Sequence, residues 1–196
     1  EQAAGKMATF AESNTDLRLP FFGWSTTAEA YQSVNPAAIV LLAPLIGMLF
    51  TRRAGRFPST IMKFVIAVLI VGLSALMLGY GFQIWPGGQD LSPWWFLALV
   101  YVIQTVAELF LTPVGLATTT ALAPRSFASQ AMGLWWLSVA TGQGVAGFVI
   151  AQTEHLSDAT YYYGLGAATL LMALVLFAVA PWTQRQMADV ETTTAE

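Results

Sequence analysis

Apolar residues in this chain come in long unbroken blocks instead of alternating with polar ones. A half-exposed strand alternates with a period of two, and a helix on a soluble core repeats one apolar stripe. Blocks that are apolar on every face belong in hydrocarbon. Five of them stand out, at Thr27–Thr51, Ser59–Ile84, Trp94–Ala123, Phe127–Gln152 and Tyr161–Trp182, separated by short stretches with Pro, Gly or charge. Each exceeds the roughly 20 residues a helix needs to cross about 30 Å of bilayer core. Ahead of them lies a shorter stretch, a partial helix over about residues 1–14. At about 1.5 Å per residue it reaches only some two-thirds of the way across. Since Glu1 is not a Met, this stretch is expected to be the tail of a helix whose start is missing. The pattern predicts an all-α membrane protein in a lipid bilayer, with residues 183–196 as a polar tail.

Charge sets the orientation. Arg52, Arg53 and Arg56, with Lys63 close behind, follow the first full span; Arg125 and Arg185 mark the same side later. The alternate connections, Trp85–Pro93 and Thr153–Thr160, hold no Lys or Arg and carry Asp90, Glu154 and Asp158. Arg18 is the one basic residue on that side. Loops rich in Lys and Arg stay cytoplasmic, so the C-terminus is expected in the cytoplasm. Trp85, Trp94, Trp95, Tyr161–Tyr163 and Trp182 fall at the predicted interfaces, where amphipathic rings settle.

Composition narrows the function classes. Only 10% of the 196 residues are charged and 56% are hydrophobic, against about 25% charged in a soluble domain. The net charge of −3 implies no nucleic-acid partner. There is no cysteine and a single histidine, His155, in a loop. No thiolate or His-based metal site and no nucleophile–base pair can be assembled, so neither an enzyme nor a cofactor is expected. Five spans and a partial one suit half of a twelve-helix transporter.

A polar side chain inside hydrocarbon needs a reason. Glu108 sits in the middle of Trp94–Ala123, where an unpaired carboxylate costs about 2.5–3.5 kcal/mol. Gln104, Glu108, Thr112, Gly115 and Thr119 share one helical face, a polar and small-residue stripe suited to a cavity wall. A Glu bonded to a neighbouring helix for structure alone is the other reading. Asn35–Pro36 resembles a helix start, but a helix from Pro36 to Phe50 spans only about 22 Å. The helix is therefore expected to begin near Thr27, with Asn35–Pro36 at an internal kink and Gln32 on the same face as Asn35. Pro44 can add a second kink. Trp135, Ser138 and Gly142 share a face of the fourth span, and packing and site both remain open for Trp135. Gly142, Gly144 and Gly147 are expected at close helix–helix contacts. Lys6 is expected to snorkel or to pair with a carboxylate, and Glu1 is expected within the membrane if the partial helix is the outer part of a span.

At these residues the sequence resembles the proton-dependent oligopeptide transporter family, a branch of the major facilitator superfamily. Glu1-Gln2 resembles the Glu-Gln of the family's seventh helix, and Tyr31-Gln32-Ser33-Val34-Asn35-Pro36 its "FQSLNP" run. Glu108 to Leu116 resembles the tenth-helix "ELxxSPVGL" signature, with Thr112 where Ser is common. Gln130 to Ser138 resembles the eleventh-helix "WFLS" segment. The resemblance implies the C-terminal six-helix bundle of a major facilitator fold, first helix truncated, whose partner is the missing N-terminal half-bundle. It further implies symport of di- and tripeptides with protons in the plasma membrane, by alternating access. Glu108 would receive the peptide α-ammonium, with Asn35 helping and Gln32 beside it. Trp135 and Ser138 would line the binding pocket, and Glu1 would join Glu108 in proton coupling. Another solute on the same fold, such as nitrate or a drug, and a non-transporting membrane scaffold are the alternatives.

Overall fold

The computed structural model describes residues 6–18, 25–52, 59–123 and 127–193, with the side chains of Leu122, Ala128 and 186–193 left out. The described residues form α1 (Lys6–Ser13), a 3-10 segment (Ala28–Ser33) that runs directly into α2 (Val34–Arg52), then α3 (Thr60–Ile84), α4 (Trp94–Leu122), α5 (Ala128–Gln152) and α6 (Asp158–Thr193). Five stretches are long and apolar enough to cross a membrane: Ala28–Arg52, Thr60–Ile84, Trp94–Ala121, Ser129–Gln152 and Asp158–Arg185. They lie where the apolar blocks predict spans.

Local chemistry explains the ends. Ser59 caps α3, its hydroxyl accepting from the Met62 N–H, and Gln184 on α6 donates to the same hydroxyl. Asp158 stands in the first turn of α6, where a carboxylate complements the positive end of the helix. That helix starts three residues before the predicted span. It also passes Pro181 and continues to Thr193, so most of the stretch expected as a tail is helical. Past α1 the chain is stitched to the α3–α4 turn: Asp16 N–H donates to Ser92 O at 2.9 Å and Ser92 N–H to Asn14 O at 2.7 Å. Gly87, with φ +97°, is needed in that turn, because a Cβ there would stand 2.9 Å from Ser13 O.

The core lies among α1, α3, α4 and α6. Met7, Phe10, Leu78, Leu97, Val100, Tyr101 and Tyr162 are fully or almost fully buried. Phe10 meets the Phe82 ring edge-on at 4.6 Å, and Phe82 stacks on Tyr162 at 5.6 Å. In lipid no hydrophobic force drives helices together, so close approach at small residues has to do it. Leu170 of α6 sits over Gly72 of α3, and Leu76 of α3 over Gly166 of α6. Lys6 joins this side with an ion pair to Asp158 at 2.6 Å and lies 4.5 Å from the Tyr161 ring. It pairs with a carboxylate, the second of the two expected arrangements.

α5 is different. It packs chiefly against α4, and a Cβ added at Gly142, Gly144 or Gly147 would meet nothing within 4 Å. The expectation of close contacts there is overturned for the described helices. Small residues permit close packing but do not compel it.

Candidate functional site

The site begins with a proline. Pro36 has no N–H, and its ring crowds the carbonyl four residues earlier, so an α-helix cannot run through it undisturbed. The chain resolves this by winding Ala28–Ser33 as a 3-10 helix and starting the α-helix at Val34. The break falls where a kink is expected, as a change of helix type just before Asn35. Tyr31, buried, donates from its hydroxyl to Trp94 O at 3.1 Å and ties the 3-10 segment to the start of α4.

Asn35 is thereby set against the middle of α4. Its Nδ2 donates to Glu108 Oε2 at 3.1 Å and to Thr105 Oγ1 at 3.2 Å. Thr105 is fully buried and donates its own proton to Tyr101 O at 2.8 Å. Glu108 is exposed, although it stands halfway along α4. A carboxylate in that place, held on one side by an amide and open on the other, can take an ammonium or exchange a proton.

The other candidates fall in different places. Gln32 is exposed on the 3-10 segment, one turn before Asn35. Trp135, half-buried, lays the tip of its indole on Gly115 of α4, where a Cβ would come within 2.0 Å of the ring. That contact binds α5 to α4 about 10 Å along the helix from Glu108. Ser138 is exposed and donates to Trp135 O at 2.7 Å, on its own helix. Glu1 lies outside the described residues. Lys6 faces α6, away from this group. Thr105 escaped the sequence reading. Its spacing of three from Glu108 was available as a signal, but Gln104, at a spacing of four, flanks Glu108 on the opposite side. Only the position of α2 chooses between them.

Among the described residues no cluster of three His, Asp or Glu side chains could hold a metal ion. A cavity of about 260 Å³ opens between α3 and α6, lined by Val65, Leu69, Leu170, Ala173, Leu174 and Phe177. With no polar lining atom it offers nothing to hold a charge or a proton. The chemistry is at Glu108.

The family model PTR2, described as POT family, matches residues 1–165. The chain is 32% identical over 191 residues to an uncharacterized transporter, YclF, of Bacillus subtilis (strain 168), covering 97% of this chain and 38% of that protein. It is 30% identical over 193 residues to a di-/tripeptide transporter of Lactococcus lactis subsp. lactis, with the same coverage of 97% and 38%. Among solved structures, it superimposes on a peptide transporter POT in complex with sulfate with a TM-score of 0.81 and 33% identity, over 94% of this chain and 37% of that one. A POT family transporter in complex with 5-aminolevulinic acid gives a TM-score of 0.82 at 31% identity, over 92% and 37%. The chain therefore spans well under half the length of the relatives it matches.

Proposed function

This chain belongs to the POT family, and on that premise we propose that it forms the C-terminal bundle of a secondary transporter carrying di- and tripeptides with protons. Its relatives are transporters, not enzymes, and it is a multi-pass membrane protein with the helical bundle of a major facilitator fold. In the proposed mechanism an N-terminal half-bundle completes the cavity, and the two rock around a site near the bilayer midplane. The basic connections support a cytoplasmic C-terminus, and the plasma membrane is the proposed location.

The observation that carries the reading is the exposed carboxylate of Glu108, bonded across two helices to Asn35. A carboxylate at that depth is costly alone and favourable beside a cation, so an incoming α-ammonium is the partner that suits it. Peptides and 5-aminolevulinic acid, the ligand of one relative, share a primary amine. Asn35 and Gln32 assist at the amine end. Trp135 and Ser138 line the pocket from α5. Glu1 and Glu108 pass the coupled proton.

Glu108→Gln keeps the shape and removes the charge. In liposomes holding the complete transporter, a proton gradient should drive uptake of labelled Ala-Ala by the wild type and not by this variant, with expression unchanged. Uptake by Glu108→Gln at the wild-type rate would refute the assignment. Unlabelled di- and tripeptides should compete and nitrate should not; the reverse result would move the substrate to another class.

A further inference from the structure

The Asn35 side chain can stand either way round, and the two orientations offer opposite chemistry to a ligand. With nitrogen toward α4, the open side receives an acceptor; with oxygen toward α4, it receives two donors. An ionised Glu108 favours the first arrangement, but a carboxyl group that takes up a proton or a ligand weakens that hold. Thr105 keeps its own. Its hydroxyl has one proton, which goes to Tyr101 O at 2.8 Å, and the side chain is wholly out of reach of water. Toward α2 it presents only lone-pair density, and Asn35 Nδ2 meets that density at 3.2 Å.

We infer that Thr105 is a positioning residue of the site: its buried hydroxyl keeps the Asn35 amide nitrogen on α4 and the carbonyl oxygen toward the open side, whether or not Glu108 carries a proton. Two acceptors, Asn35 Oδ1 and the Glu108 carboxylate, then stand side by side. That pair suits a ligand group with several N–H donors, as a primary ammonium has, and repels one that presents a carboxylate first. Only the uptake arm of the test below rests on the peptide-transport reading.

A double-mutant cycle tests it, with Thr105→Val, Asn35→Ala and the double variant made in the complete transporter. In detergent, Thr105→Val should lower the Tm by roughly 1–3 °C and should lower it no further once Asn35 is Ala. An equal drop in both backgrounds means Thr105 is merely structural, and overturns the proposal. In uptake of labelled Ala-Ala, Thr105→Val should raise KM about tenfold with kcat within about twofold, the size of one lost hydrogen bond to a placed group. Thr105→Ser, which keeps the hydroxyl, should return KM to the wild-type value. An unchanged KM in Thr105→Val likewise overturns the proposal. If the wild type takes up no Ala-Ala at all, the transport reading falls while the thermal cycle still decides on Thr105. Thr105→Ala serves the same cycle if the valine variant does not accumulate.

Discussion

On one side of the molecule, α1, α3 and α6 close on each other and on the first turns of α4; on the other, α2 and α5 lean on α4 farther along and on little else among the described residues. The first side holds Phe10, Phe82 and Tyr162 in ring contact and closes Lys6 onto Asp158. The second leaves Val40 74% and Phe148 66% exposed. α4 belongs to both: Leu97, Val100 and Tyr101 are core, Thr105 is the buried link, and Glu108 is open. The crossover takes two turns of helix. The difference teaches how a costly carboxylate can be held in place. The first turns of α4 are locked by packing that tolerates little movement, so the middle of the same helix can present a charge without an enclosing wall of its own.

If the two sides divide the work in this way, their mutations should separate stability from transport. Phe10→Ala should have the largest effect, about 3–5 kcal/mol of stability from a fully buried aromatic, read as a lowered thermal midpoint in detergent. A loss under about 1 kcal/mol would mean the closed side is not the structural anchor. Glu108→Gln should cut uptake by about 100-fold, the scale of one charge-assisted contact of roughly 3 kcal/mol, yet leave the Tm within a degree or two. A large fall in Tm would blur the comparison and recast Glu108 as structural. Lys6→Met comes next, at about 1 kcal/mol. The pair is discounted because Asp158 is 39% exposed against 14% for Lys6. Adding Asp158→Leu should recover most of that loss by replacing an ion pair with an apolar one. The smallest change belongs to Leu171→Ala, at 63% exposure on α6, within about 0.5 kcal/mol.

Much of this was legible in the order of residues. Apolar blocks of spanning length announce helices, because in lipid each backbone N–H and C=O has to be satisfied within the segment itself. A Glu in the middle of such a block, and an Asn-Pro inside another, mark themselves as departures that need a reason. Pairings were legible only in part. Lys6 could snorkel or pair with a carboxylate, and nothing local says that the carboxylate it meets lies 152 positions on. That Trp135 rests on Gly115 could not be read from either position alone. The glycines of α5 looked like contact residues and touch none of the described helices.

The dividing line is physical. Solvent, helix and depth follow from sums over neighbouring residues, so Glu108 could be placed in mid-span before any coordinates were known. Which flank of Glu108 has a partner depends on how α4 is rotated and on where α2 starts. The rotation comes from aromatic packing at Phe96 to Tyr101, and the start from the 3-10 segment that Pro36 imposes. Tertiary structure alone therefore chose Thr105 over Gln104, because a hydrogen bond between helices needs two positions in register and a sequence displays one at a time.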